Sequence, residues 1–518
     1  MSRAAARAGV LLALFLPAVV IAGSREKRKM TMKRADQAGP GTDLAASLIP
    51  SPASPLVTLR VQIRVGSIDD PPGKEGLNGL TALALAKGGT GDLSYRQVTD
   101  RLYPMAATID VQFDREATTF IGEVHRDHLE EFYRLFTGLL LAPRFDERDV
   151  ARNRDLLLAG IRTTLRGNDD EALGKEALGL FMYQGHPYGR IDLGTVRGLE
   201  SITPDDIRAH YRTHYAQNGV HIGLAGDYPD GLEGVLREAL TALPEEAPPR
   251  PPLPRPRSID GMEIVIVEKP AMANAISMGF PIEVTRAGRD YYALLVANSH
   301  LGEHRTFNGR LMNKMRGERG LNYGDYSYIE TFLQDGGSTF PLPNIPRRQQ
   351  AFTVWIRPVA PENTLFALRQ ATREVARLAE RGLTQVELDQ TRTYLMNYSR
   401  LWTQSLSRRL GVLMDSRFYD APFLVDAIQK ELPRLTLKEV NEAVKRHLAA
   451  RGIQVVIVAE NAAELKRLLL SGKPTPIAYQ TPTTDEALLA EDAEIQAYPL
   501  PVSRERLIIV SAQDLFER

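Results

Sequence analysis

Among the 518 residues there are nine histidines and no cysteine, so any bound metal must be held by imidazoles and carboxylates. The absence of thiols also excludes disulfides, iron–sulfur ligation and a lipidated N-terminal cysteine. One run has the letters of a zinc motif: His300-Leu301-Gly302-Glu303-His304. On a helix it would place two imidazoles on one face with a glutamate between them, and Glu374 or Glu380 could supply a third ligand. Gly302 costs such a helix ~1 kcal/mol, and the run follows ALLVANS, where a helix is already ending. The preferred reading is a polar loop whose His and Glu are solvated or cap the next helix. His125 and His128, at i and i+3, could clip a metal but read better as solvated or capping groups. His186 before Pro187 reads as a turn residue, and His210, His214 and His447 as packing at helix ends.

These side chains have to be positioned by a chain that repeats itself. LESITPDDIRAHYRTHYAQNGVHIGLAGD from Leu199 and LPRLTLKEVNEAVKRHLAARGIQVVIVAE from Leu432 register without a gap at an offset of 233, pairing Thr203 with Thr436 and His214 with His447. Each copy predicts a Thr-capped helix with an acidic first turn, then a β-rich run after Gly. A second pair, the helices opening at Phe145-Asp146-Glu147 and Leu383-Thr384-Gln385, has an offset of 238; the difference is an ordinary loop indel between duplicated domains. Val57, Leu59, Val61, Ile63 and Val65 alternate with polar residues as in a half-buried strand, Gly76 to Lys87 turns helical, and Met262 to Val267 opens the second half as a strand. The pattern predicts an α+β fold of two duplicated domains, each a mostly antiparallel sheet packed with helices, facing each other as a clamshell.

Between the halves, PEEAPPRPPLPRP has seven prolines in thirteen positions, a polyproline strut of ~40 Å reach that would let them face each other across a gap. The expected boundaries are 1–24 (signal peptide or N-terminal anchor), 25–54 (flexible segment), 55–243 (first domain), 244–257 (linker), 258–473 (second domain) and 474–518 (a tail, loop-like until 507–511). Arg3 and Arg7 precede the apolar run Val10–Ala22 and the small residues Ala22-Gly23-Ser24, which predicts export to the periplasm or beyond. The alternative is retention by an uncleaved N-terminal segment, favoured by Arg25, Lys27, Arg28 and Lys29. With 64 basic and 64 acidic residues, nucleic acid is not the expected partner.

VGSIDDPPGKEGLNGLTALALAKGGT (65–90), HLEEFYRLFTGLLLAPRFDERDV, HPYG (186–189), ITPDDIRAHYRTHY and GRLMNKMRGERGLNYGDYSY (309–328) occur in an order that resembles the insulinase/pitrilysin zinc metallopeptidases over residues 55 to 460. The resemblance implies a zinc helix bearing H-x-x-E-H, completed by a distal glutamate. Here Gly79 and Leu83 stand at the two histidine positions and Ala82 at the base. The distal glutamate would fall in the helix around Ala159 to Glu171, where 159–167 carry no acid and Asp169, Asp170 and Glu171 read as a polar turn. No catalytic or metal-binding residue is therefore expected. The family's L-R-E-K-x-G-L-A-Y segment, by contrast, has Arg316 and Tyr323 at the right separation, and the resemblance makes them contacts to a peptide backbone and its oxyanion.

Some family members resemble heterodimers in which one subunit keeps the zinc helix and the other the Arg/Tyr pair. The expectation is a noncatalytic subunit that binds extended peptides, by strand addition at an exposed sheet edge, and presents Arg316 and Tyr323 to a zinc-bearing homologue. Zinc would sit in the partner alone. The alternatives are an active zinc endopeptidase using His300, Glu303 and His304, and a structural or chaperone-like homologue.

Overall fold

The repeated unit folds twice with the same capping chemistry. In the computed structural model, which describes residues 44–334, 338–449 and 452–518, Thr203 caps helix Pro204–His214 and Thr436 caps helix Leu437–His447. In each, the Thr hydroxyl accepts from the N3 amide, and the N3 carboxylate, Asp206 or Glu439, returns to the cap amide. Asp146 and Thr384 likewise open helices Glu147–Ala159 and Gln385–Tyr398.

Eleven strands are described: β1 Ala45–Pro50, β2 Leu56–Ile63, β3 Thr108–Phe113, β4 Thr118–His125, β5 Val220–Gly226, β6 Gly261–Glu268, β7 Asn274–Ile282, β8 Asp325–Tyr328, β9 Gln350–Val359, β10 Gly452–Ala459 and β11 Val502–Ser511. They form two sheets, ordered β1-β5-β2-β4-β3 and β11-β6-β10-β7-β9-β8. Without β11 the orders are copies of one another, β1 matching β6 and β5 matching β10, with the first pair parallel in each and the rest antiparallel. Two expectations need correcting. Residues 45–50, assigned to a flexible segment, are the first strand of the first repeat, and the tail holds helix Glu486–Gln496 and a ten-residue strand, β11, on β6. Residues 1–24, the expected export signal, lie outside the described residues.

The space expected between the halves is bridged by an exchange of helices. Helix Asp170–Met182, from the first half, lies across β7 and β10 of the second sheet, and its counterpart Leu406–Phe418 lies across β1 and β5 of the first. Close approach requires glycine here: a Cβ on Gly223 would meet Met414 Sδ at 2.6 Å, and one on Gly411 would meet Pro343 at 2.8 Å. The exchange also corrects the reading of β2, which is buried on both faces from Val57 to Ile63. Arg60 on its polar face donates to Asn344, and at 3.0 Å to both the carbonyl and hydroxyl of Ser407. Burial lowers its pKa to about 10.

The proline-rich segment is held against both halves. Gln217 N donates to Pro244 O (2.8 Å) and Arg250 Nε to Asp69 (2.8 Å) in the first half, and Arg257 Nη2 donates to Glu263 (2.6 Å) and Gln454 (2.9 Å) in the second. Among the described residues no helix is long and apolar enough to cross a membrane.

Candidate functional site

Helix Leu77–Ala86 carries the three positions that the resemblance assigns to zinc chemistry. Its entry is set by Gly76, at φ 102°, and by Asp70, whose carboxylate accepts from Gly76 N (2.8 Å) and Asn78 N (2.7 Å). All ten helical residues are buried, so the helix has no solvent face from which to offer a ligand. At Gly79 a Cβ would meet the Phe113 ring at 3.0 Å and the Asp192 carbonyl oxygen at 3.0 Å. An imidazole there has no volume to occupy. Ala82 and Leu83 are core side chains, and Asn153 Nδ2 ties the Leu83 carbonyl (3.2 Å) to helix Glu147–Ala159.

The distal position fares no better. Residues Gly160–Asn168 form a wide π-helical turn without a carboxylate, and Asp169, expected in a polar turn, is the N-cap of helix Asp170–Met182, accepting from Ala172 N at 2.8 Å. Glu171 is committed to Lys175 (2.6 Å) and Arg357 (3.0 Å). These residues do not fit a zinc ion.

Buried ion pairs surround the helix instead, and arginines from the second half supply part of them. Asp192, whose carbonyl lies against Gly79, pairs with Arg115 and accepts from Ser67 Oγ (2.8 Å). Arg347 forks onto Asp114 at 2.5 and 2.7 Å, and Arg348 Nε reaches Glu116 at 2.6 Å. Burial would raise the Asp114 pKa, but the charge and hydrogen bonds of Arg347, together with the charge and backbone N–H of Arg115, outweigh it and hold the carboxyl below its usual range. Breaking one member of such a network strands its partner without water, which locks the second half onto the first.

The second-half pair is open. Arg316 lies in the π-helical turn Met312–Gly317, and its guanidinium stacks on the Tyr323 ring at 4.7 Å and the Phe307 ring at 5.4 Å. Arg357 covers the ring of Tyr323 at 5.4 Å. Tyr323 is 68% exposed and Phe307 69%. Arg316 and Tyr323 thus stand beside each other. Phe307 and Arg357 were not legible, because nothing in their local sequence marks them as neighbours of that pair. Arg357 continues through Glu171 into a cleft of about 550 Å³, lined by Lys175, Phe332 and Trp355 among others. Lys175 Nζ sits 3.9 Å above the Trp355 ring centre.

The literal H-x-x-E-H run is dispersed. Helix Arg289–Gly302 continues through His300 and stops at Gly302, whose Cβ position would lie 2.9 Å from Leu311, and Glu303 leaves in extended geometry. His300 faces Glu387 at 3.6 Å. His304, expected in a solvated loop, is buried among Tyr326, Tyr328 and Phe332, with Nδ1 2.6 Å from the Tyr328 hydroxyl. Burial pushes His304 down to about 4 and Glu303, which accepts from Ser299 Oγ, up to about 7. Glu374 pairs with Arg310 and Arg373. Among the described residues no group of three or more His, Asp or Glu is placed to hold a metal ion. His186 caps its turn through Tyr188 N (3.0 Å), and His447 pairs with Asp290 (2.7 Å).

Comparison with known proteins agrees with this geometry. A family model described as insulinase (peptidase family M16) matches residues 47–195, and one described as the peptidase M16 inactive domain matches 201–395. The non-peptidase homolog YmxG of Helicobacter pylori is 22% identical over 416 residues, 78% of this chain and 89% of that protein. A crystal structure of a peptidase M16 inactive domain from Pseudomonas fluorescens superposes with a TM-score of 0.70 at 22% identity, covering 82% of this chain and 97% of that one. The periplasmic protease PqqL of Escherichia coli gives 0.62 at 14% identity, covering 86% of this chain and 49% of that one.

Proposed function

The chain belongs to the insulinase family, peptidase family M16, and from that premise we propose that it is a noncatalytic subunit that binds extended peptides and presents Arg316 and Tyr323 to a zinc-bearing homologue. The observation that carries the reading is a contrast: the zinc-position helix is packed shut around Gly79, while Arg316 and Tyr323 stand together at the surface. A guanidinium offers several N–H donors to peptide carbonyls, and a phenol one O–H to a developing oxyanion. The Phe307 ring on one side of the pair and the Arg357 guanidinium on the other hold it in register before a substrate arrives, so less side-chain freedom is lost on binding.

This chain spans about half of the E. coli protease, and the pairing with a homologue is part of the proposal. Strand addition has a half-exposed edge available in β3, whereas β8 is buried along its length. For location we favour the periplasm or secretion, from the charged, apolar and small-residue order of the first 24 residues.

The test is a reconstituted pair with a zinc-bearing M16 subunit that co-purifies with this chain. Arg316→Ala with Tyr323→Phe lowers peptide kcat/KM by about a hundredfold, the scale of losing an oxyanion donor, with the pair still assembled by size-exclusion chromatography. Unchanged turnover, or a co-purifying partner without an intact H-x-x-E-H helix, contradicts the proposal.

A further inference from the structure

The segment past Lys473 has no part in the reading above, yet it grips the turn that carries Arg316. Ala478 exchanges two hydrogen bonds with the Asn363 side chain, 2.7 and 3.0 Å, and the chain then forms helix Glu486–Gln496 against helix Thr364–Arg381. From it, Glu491 and Asp492 reach Arg319: Nη2 donates to Glu491 at 2.9 Å and Nε to Asp492 Oδ1 at 2.7 Å. The Arg319 side chain is fully buried, and its remaining nitrogen donates to the Lys314 carbonyl at 2.9 Å, inside the π-helical turn. Lys314 Nζ itself lies 3.2 Å from Glu491, and the Tyr479 hydroxyl donates to the other Asp492 oxygen at 2.6 Å. Backbone bonds from Gly320 N to Arg316 O (2.9 Å) and from Leu321 N to Met315 O (3.1 Å) lead on to Tyr323.

A buried guanidinium is tolerated only when its donors are met by charge and geometry together. Without the two carboxylates Arg319 would keep only its exposed neighbour Glu318 (3.3 Å) as a charged partner, turn to water and release the carbonyl that holds the π turn, a form that rarely persists without outside support. We infer that Glu491 and Asp492 are positioning residues, and that the C-terminal helix is the buttress setting where Arg316 and Tyr323 stand. The functional meaning of this inference rests on the peptide-binding reading; its geometry does not. The competing account, that the helix only stabilises the second half, has its own marker in Glu494, which pairs with Arg373 of helix Thr364–Arg381 at 2.6 Å; Glu491 also reaches Arg373, at 3.1 Å, so Asp492→Asn alone must move the same readouts as the double variant.

The experiment is ¹⁹F NMR on the full chain carrying 3-fluorotyrosine at position 323, with amide exchange at Gly320 and Leu321. Glu491→Gln with Asp492→Asn moves the resonance to the position seen in Arg316→Ala and speeds exchange about tenfold or more, as local opening requires. Glu494→Gln leaves both unchanged. A resonance that stays put in the double variant, or moves as far in Glu494→Gln, overturns the inference; if the double variant does not fold, Asp492→Asn alone is read in the same way. In the reconstituted pair, a moved resonance with unchanged turnover keeps the buttress and removes the peptide-binding reading instead.

Discussion

Gly79 states the difference between a lost ligand and a lost site. A polar cavity left after losing two histidines would be unstable, and here the Phe113 ring and the Asp192 backbone close it. Gly79→His therefore gains no zinc and lowers stability by about 1–3 kcal/mol, the range for overpacking a filled core; chemical denaturation measures it, and a neutral effect contradicts the packing. Asp325 tests the second half. Its Oδ1 accepts from Asn322 (2.7 Å), its Oδ2 has no partner among the described residues, and burial pushes its carboxyl up to about 8. The folded-state value lies above the unfolded one of ~3.9, so its contribution is complete below about pH 4 and is lost as pH rises toward 8. Asp325→Asn removes that titration. Its Tm gains on the parent's between pH 5 and 8 and runs parallel above, whereas a pH-independent gap contradicts a buried neutral acid. Arg316 and Tyr323 could be singled out because a seven-residue separation is a feature of local sequence. Arg60 and His304 were not, because what buries them comes from elements distant in the chain.

The elements divide the same way. Helix caps at Thr203, Thr384 and Thr436 could be read from a hydroxyl followed by an acid three residues on, since capping is local chemistry. β1 was missed because AASLIP is too short and mixed to stand out, although matching β6 in the repeat would have found it. Helix Glu486–Gln496 was missed because its residues lack a clear apolar stripe; its ion pairs with Arg319 and Arg373 are tertiary. The exchanged helices left no periodic trace, as each reads as an ordinary helix of its own half. Leu410, fully buried against Ala225 and Met414, sits in that contact. Leu410→Ala costs about 2–5 kcal/mol, and because it links the halves the loss appears as one cooperative transition moved to lower temperature. Two separated transitions in the calorimeter contradict the interlock.

Over the whole molecule, duplication produced two sheets of one topology, and the two copies diverged in what they expose. The first copy buried its helix Leu77–Ala86 beneath ion pairs from its sibling, and the second kept an arginine and a tyrosine at the surface. The proposed noncatalytic role requires that the chain hold no zinc of its own, and equilibrium dialysis of the full chain against micromolar zinc, read by elemental analysis, tests that most directly. No stoichiometric zinc is expected in the parent, and the same trace level in His304→Ala. One tightly held ion per chain, lost in His304→Ala, would contradict that role.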